Sequence, residues 1–223
     1  AAMHTKIEDL ISNQFVSNKS IKIITLPDGS IVHMNMGTTI SMYEGKFNSF
    51  QREVWLDEGE AFFEIVKDSD RPFIVHTADG LTTRVLGTSF NIKAYKELGE
   101  QVVSVKTGRV QVKSGLGENR ILELDNKLVY NSDTKEISTA MTSGADAADW
   151  RTGRIVLDRV KIKELAFRLE QYFDVELINK SIGNEMEIYT SFDTNTSLEH
   201  IMNNIGSMFG VNTKIENNRV YIY

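Results

Sequence analysis

Residues 54–75, VWLDEGEAFFEIVKDSDRPFIV, limit what this chain can fold into more than any other stretch. Over residues 61–65, Ala61, Phe63 and Ile65 fall on one face of an extended strand, and Phe62, Glu64 and Val66 on the other. A strand with aromatic bulk on both sides belongs inside an all-β body. Gly59, next to Glu60 at the head of this run, points to a bulge or a close approach of two backbones. Pro72 has no N–H to give a ladder, so Arg71-Pro72 leads into a second strand that starts at Phe73 and covers residues 73–77.

The same kind of segment fills residues 21–140. IKIITL is followed by Pro27-Asp28-Gly29 and then by IVHMNM, in which Val32, Met34 and Met36 alternate with His33 and Asn35. Asp79-Gly80, Thr107-Gly108 and the Gly115/Gly117 pair supply further turns. Short strands at this spacing predict a sandwich, a barrel or a solenoid of stacked sheets rather than alternating βαβ units. At VLGT, residues 85–88, Gly87 is expected to take a conformation that a side chain would disfavour, with Thr88 bonded to a neighbouring carbonyl. No Lys and no helix follow it, which argues against a phosphate loop.

The two ends of the chain differ from this middle. Residues 1–20 are mixed and polar, with Ile7, Leu10, Ile11 and Phe15 near helical spacing, and predict a short helix or tether. TSGADAAD, residues 142–149, breaks the strand pattern and places a linker at 141–150; Trp150, directly after it, is expected to pack one domain on the other. Residues 151–223 read as strand, helix, strand, twice over. Ile162/Leu198, Leu165/Ile201, Leu169/Ile205, Phe173/Phe209 and Val175/Val211 match at one constant offset, which marks an internal duplication. Asp158 and Asp193 precede the two helices one register apart, so the two lead-in loops differ by a residue; Thr196 or Ser197 is the better cap in the second copy. Arg219 to Tyr223 form a last strand after an Asn217-Asn218 turn. The fold class predicted is mainly β plus α+β, with an all-β domain at 21–140 and a duplicated βαβ module at 151–223.

Composition excludes several functions. With 223 residues and a formal net charge of −6, the chain can bury ample core but has no Lys/Arg cluster for phosphates, so no nucleic acid is expected as a partner. There are no cysteines, which removes disulfides, thiolate metal sites and a Cys nucleophile together. No apolar run approaches the roughly 20 residues of a membrane helix, and the Ala1-Ala2-Met3-His4 start is unlike a signal peptide.

Asp57, Glu58, Glu60 and Glu64 are the best candidates for paired-carboxylate chemistry, but acids on strand edges commonly serve solubility. The four histidines, His4, His33, His76 and His200, lack the spacing of a helical zinc site. No G-x-S-x-G turn occurs. No enzyme, metal or cofactor is therefore expected.

The motifs also carry a family resemblance. GEAFFEIVKDSDRPFIVHT, then VLGTSFNIKAY, with LPDGSIVHMN before them and VKTGRVQVK after, resembles the periplasmic domain of FecR-type anti-sigma regulators of the Bacteroidetes kind. The motif residues are Gly59, Glu60, Ala61, Phe62, Phe63, Glu64, Pro72, Phe73, Gly87, Thr88 and Phe90, and their expected role is mostly structural. The duplicated C-terminal half is similar to the secretin and TonB short N-terminal domain. The resemblance implies a periplasmic piece that follows a cytoplasmic anti-sigma domain and a single inner-membrane helix. Its implied partners are the signalling domain of a TonB-dependent outer-membrane receptor and, through the cytoplasmic part, an extracytoplasmic-function sigma factor. An open sheet edge in the C-terminal module could accept a partner strand, with Trp150, Tyr221, Ile222 and Tyr223 as candidate interface residues; a terminal strand paired within its own sheet is the simpler reading of the last three. The alternative from another class is a carbohydrate-binding or cell-envelope scaffold module using Trp55, Tyr43 and Tyr95.

Overall fold

The organising strand is β5 (Arg52–Glu64), 13 residues long in the computed structural model, which describes residues 11–223. It changes partners half-way. Thr39 pairs with Glu58 but Ile40 with Leu56, which leaves Asp57 unmatched as a bulge. The extra residue reverses the alternation: Val54 and Leu56 enter the core before it, and Ala61, Phe63 and Ile65 after it. Gly59 follows at φ 103°. A Cβ there would lie 2.5 Å from the Thr38 Cα, so the backbones meet as closely as the sequence suggested.

Two leaves of strands share β5 within one 13-stranded sheet. Its first half lies between β4 (Thr38–Tyr43) and β6 (Phe73–Thr77). That leaf continues through β1 (Ile11–Ser17) on one side and β7 (Thr82–Val85), β10 (Val110–Lys113) and β11 (Asn119–Leu122) on the other. The second half of β5 lies between β3 (Ile31–Met34) and β8 (Ser89–Ala94). This other leaf is completed by β2 (Lys22–Thr25), β9 (Glu100–Thr107), β12 (Asn126–Asn131) and β13 (Ile137–Met141). Both leaves feed one buried cluster, in which Phe63 stacks on Phe90 at 5.1 Å and meets Phe73 at 6.3 Å. The body is thus a sandwich folded from one sheet creased at the β5 bulge.

The turn signals sit where the sequence placed them. The β2–β3 hairpin turns at Asp28-Gly29, β6–β7 at Asp79-Gly80, β9–β10 at Thr107-Gly108, and β10–β11 at Gly115 to Gly117. Pro72 immediately precedes β6. The helix expected over residues 1–20 is corrected from Ile11 on: that segment is β1, paired antiparallel with β4. Ile7, Leu10 and His4 lie outside the described residues.

The chain divides into compact units at Gly144 and Ala145. In the second, a 3₁₀ turn at Asp146–Thr152 holds Trp150 buried and lies against β14 (Arg154–Lys161). Then come α1 (Ile162–Phe173), β15 (Glu176–Asn179), β16 (Glu187–Asp193), α2 (Leu198–Phe209), β17 (Thr213–Glu216) and β18 (Arg219–Ile222). The helices, each 12 residues, begin and end at the offset read from the sequence, and Asp174 and Gly210 cap both in the left-handed conformation. Ser197 caps α2 by accepting from the His200 amide at 3.3 Å. The lead-ins do differ. β14 runs into α1 through a bulge at Arg159, whereas residues 194–197 separate β16 from α2.

The strands of each repeat do not pair with one another, so neither copy forms a parallel βαβ unit. β14 pairs antiparallel with β16, and β15, β18 and β17 make a separate three-stranded sheet. Leu165, Leu169, Ile201 and Ile205 are buried against these layers with Ile155, Leu157, Val220 and Ile222.

Candidate functional site

In the second unit four strands pair on one side only, β14 and β16 with each other and β15 and β17 each with β18, and such edges can receive another polypeptide. β18 is the middle strand of its sheet, parallel to β15 and antiparallel to β17. Its backbone is fully engaged: Lys180 donates to the Ile222 carbonyl at 2.9 Å, and Asn212 and Tyr223 exchange two bonds at 2.9 and 3.0 Å. The last strand therefore pairs within its own sheet, and the open edges belong to β15 and β17.

The ladder fixes which groups face outward from β17. Asn212 and Tyr223 form a hydrogen-bonded pair, so Lys214 and Glu216 also turn their amides toward β18, while Thr213 and Ile215 turn theirs away. Ile215, opposite Val220, is 40% exposed, and Tyr223, opposite Asn212 and on the other face of the sheet, is 54% exposed. Tyr221 is half-buried; Ile222 and Trp150 are buried. Of the four residues singled out for an interface, Tyr223 and part of Tyr221 are the ones a partner can reach. The signal for the edge itself was the Thr213–Glu216 segment, which sequence reasoning treated only as a strand.

The four β5 carboxylates considered for paired-acid chemistry do not converge. Asp57 accepts from the Ser41 hydroxyl. Glu58 accepts from the Lys96 amide at 2.9 Å. Glu64 meets His33 Nε2 at 2.8 Å. Glu60 is buried and accepts from Asn35 Nδ2 at 3.0 Å and Asn91 Nδ2 at 2.9 Å. Each acid thus has its own partner, and Glu60 ties β5 to β8 and to the residue that follows β3.

Other motif residues are held just as firmly. A Cβ on Gly87 would lie 2.6 Å from the Lys67 Cα, and Thr88 Oγ1 donates to the Arg109 carbonyl at 3.1 Å. Ala61, Phe62, Phe63, Phe73 and Phe90 are buried. Of the aromatics considered for a sugar, Tyr43 and Trp55 come together at 4.7 Å, edge to face. His76 stacks on Trp55 at 4.7 Å and is held by Glu53 at 2.7 Å. Tyr95 is buried elsewhere, its hydroxyl donating to the Met36 carbonyl at 2.8 Å.

Asp28 and Arg52, in a turn and at a strand start, gave no signal in the sequence. Their side chains are 3% and 0% exposed and meet at 2.7 Å. Arg52 also donates to the Val66 and Arg71 carbonyls, both at 2.9 Å, and so ties the β2–β3 turn to both ends of the segment leaving β5. Burial alone would raise the Asp28 pKa, but the Ser30 amide, the Arg52 guanidinium and the Ser30 hydroxyl together hold it below the ordinary carboxylate value.

Comparison with known families matches residues 14–111 to FecR protein and residues 154–222 to FecR, C-terminal. Two crystal structures of a candidate anti-sigma factor from Parabacteroides distasonis ATCC 8503, at 1.65 and 2.50 Å resolution, are similar to this chain, each with a TM-score of 0.84 and 33% sequence identity. The likeness covers 95% of this chain and 98% of that one. No curated protein matches.

Proposed function

Because the chain belongs to the FecR family, with the FecR region followed by its C-terminal region, we propose that it is the sensing part of a transmembrane anti-sigma regulator. In this reading it lies in the periplasm as the soluble part of a single-pass inner-membrane protein. The signalling domain of a TonB-dependent outer-membrane receptor docks on it. The cytoplasmic part of the regulator then controls an extracytoplasmic-function sigma factor. The chain works by binding alone, so its signal is a difference in binding free energy between partner states.

The observation that carries the docking half is the open β17 edge, which offers the outward amides of Thr213 and Ile215. Calorimetric titration of the chain with the receptor's isolated signalling domain is expected to show heat that Ile215→Pro removes. The proline deletes an amide that points away from β18, so the second unit stays folded by circular dichroism. Absence of heat at high concentration, with both partners folded, sinks the reading.

A sugar-binding reading rests on the Tyr43–Trp55 pair. It is the weaker one because His76 already stacks on Trp55. Loss of glycan-array binding in a folded Trp55→Ala variant would favour it.

A further inference from the structure

A second surface lies on the sandwich, far in sequence from the edge just described. The segments carrying Lys67, Leu86 to Thr88, Gly108-Arg109 and Glu123-Leu124 surround an open groove of about 750 Å³ across β7, β10 and β11. Its floor is set by strand register. Arg84 pairs with Gln111, and Gln111 with Ile121, so the three stand in one row on the outer face.

Two properties of the groove run against the rest of the molecule. The first is apolar exposure: Leu86, Ile121 and Leu124 are 43%, 62% and 57% exposed and line the same depression. The second is charge. In a chain of net charge −6, the groove gathers Lys67, Arg84 and Arg109 against Glu123 alone. Arg109 is paired with Glu123 at 3.0 Å, whereas Lys67 and Arg84 have no ion-pair partner among the described residues.

The walls are already in place. The Asp68 amide donates to the Leu86 carbonyl at 2.7 Å, Thr88 Oγ1 donates to the Arg109 carbonyl at 3.1 Å, and Gly87 packs its bare Cα against Lys67. A ligand therefore need not order these segments to bind. β11 is also the last strand of its leaf, and Ile121 on it lines the groove.

We propose that this groove is a docking site for an extended acidic peptide segment of a partner protein, in which every second residue faces the groove and these facing side chains include both carboxylates and aliphatic groups. Such a segment puts its acids on Lys67 and Arg84 and its aliphatic groups on Leu86, Ile121 and Leu124. Carboxylates are chosen over bases by the sign of the unpaired charges. Peptide is chosen over an anionic glycan by the apolar side chains of Leu86, Ile121 and Leu124 that line the groove. The site lies wholly on the first unit and holds or fails independently of receptor docking at β17.

The test uses the whole 223-residue chain and a synthetic peptide of about ten residues in which Glu and Leu take turns at every second position with Thr between them, so that one face carries both; its length spans roughly 33 Å when extended. Expected are amide shifts confined to β7, β10, β11 and residues 86–88 in a heteronuclear NMR titration. Lys67→Glu with Arg84→Glu is expected to weaken binding by about tenfold, and so is added salt. Ile121→Ser with Leu124→Ser, exposed positions whose loss leaves the core intact, should weaken it as well. Equal binding of the same peptide with Lys in place of Glu would overturn the proposal. So would a sulfated oligosaccharide that binds this groove unaffected by Ile121→Ser and Leu124→Ser. Groove shifts that depend on protein concentration without peptide would give the surface to a second copy of the chain and overturn it too.

Discussion

Replacing Asp28 by Asn removes the counter-charge of a guanidinium with no exposed side-chain surface. The Arg52 bonds to the Val66 and Arg71 carbonyls survive, but the cation stays buried against neutral oxygens, and its Nη2 already has no hydrogen-bond partner. Breaking a buried pair from one side typically costs about 3–5 kcal/mol, a large share of the roughly 5–15 kcal/mol that holds a domain folded. The assay is urea unfolding followed by Trp55 fluorescence in a Trp150→Phe background, so that the only remaining tryptophan reports the sandwich. Adding Arg52→Met to Asp28→Asn should recover much of the loss, because no buried charge is then left alone. Acid supplies an independent check. The folded Asp28 pKa lies below its ordinary 3.8, so this group's contribution is present above that pH and is lost as pH falls through the folded value. The gap between wild type and Asp28→Asn should accordingly narrow below pH 3.8. A cost under about 1 kcal/mol, the range of exposed ion pairs, with no acid convergence would refute the reasoning.

Three further substitutions probe the scaffold. Gly59→Ala drives a methyl into Thr38, whose hydroxyl accepts from the Glu60 amide and donates to the Glu60 carbonyl, both at 3.0 Å; a loss of about 2–3 kcal/mol is expected by the same urea assay. Gly45→Ala, left-handed but with open space around it, should lose only about 1 kcal/mol. Asp174→Gly relieves a left-handed cap that Gly210 already fills in the other repeat, and should stabilise the second unit by about 0.5–1 kcal/mol in thermal unfolding.

Much of this architecture was legible because local periodicity encodes it. The apolar alternation of residues 61–65, the turns at Asp28-Gly29 and Asp79-Gly80, and the matched stripes of α1 and α2 all appear in the structure at the predicted places. Pairing between distant strands was not legible. Nothing near Arg154 or Glu187 says that β14 joins β16 across the repeats rather than β15 within its own, since that choice depends on how both helices stack. β1 was missed for another reason: in ISNQFVS the inward Ser17 is polar and bonds the Asn35 carbonyl, so the apolar signal of a strand is absent. The Arg52–Asp28 pair was hidden because sequence alone cannot tell a buried ion from a solvated one. The β17 edge follows from the sheet order, which no single segment carries.

The central claim is that this FecR-family chain acts by gripping another polypeptide along a strand edge of its second unit. Amide hydrogen exchange on the whole chain, with and without the receptor's signalling domain, tests it most directly. Slowed exchange at the outward amides of Thr213 and Ile215, with those of Lys214 and Glu216 unchanged because β18 already protects them, is the predicted result. Protection that appears elsewhere in the bound complex while β17 exchanges as before would contradict it.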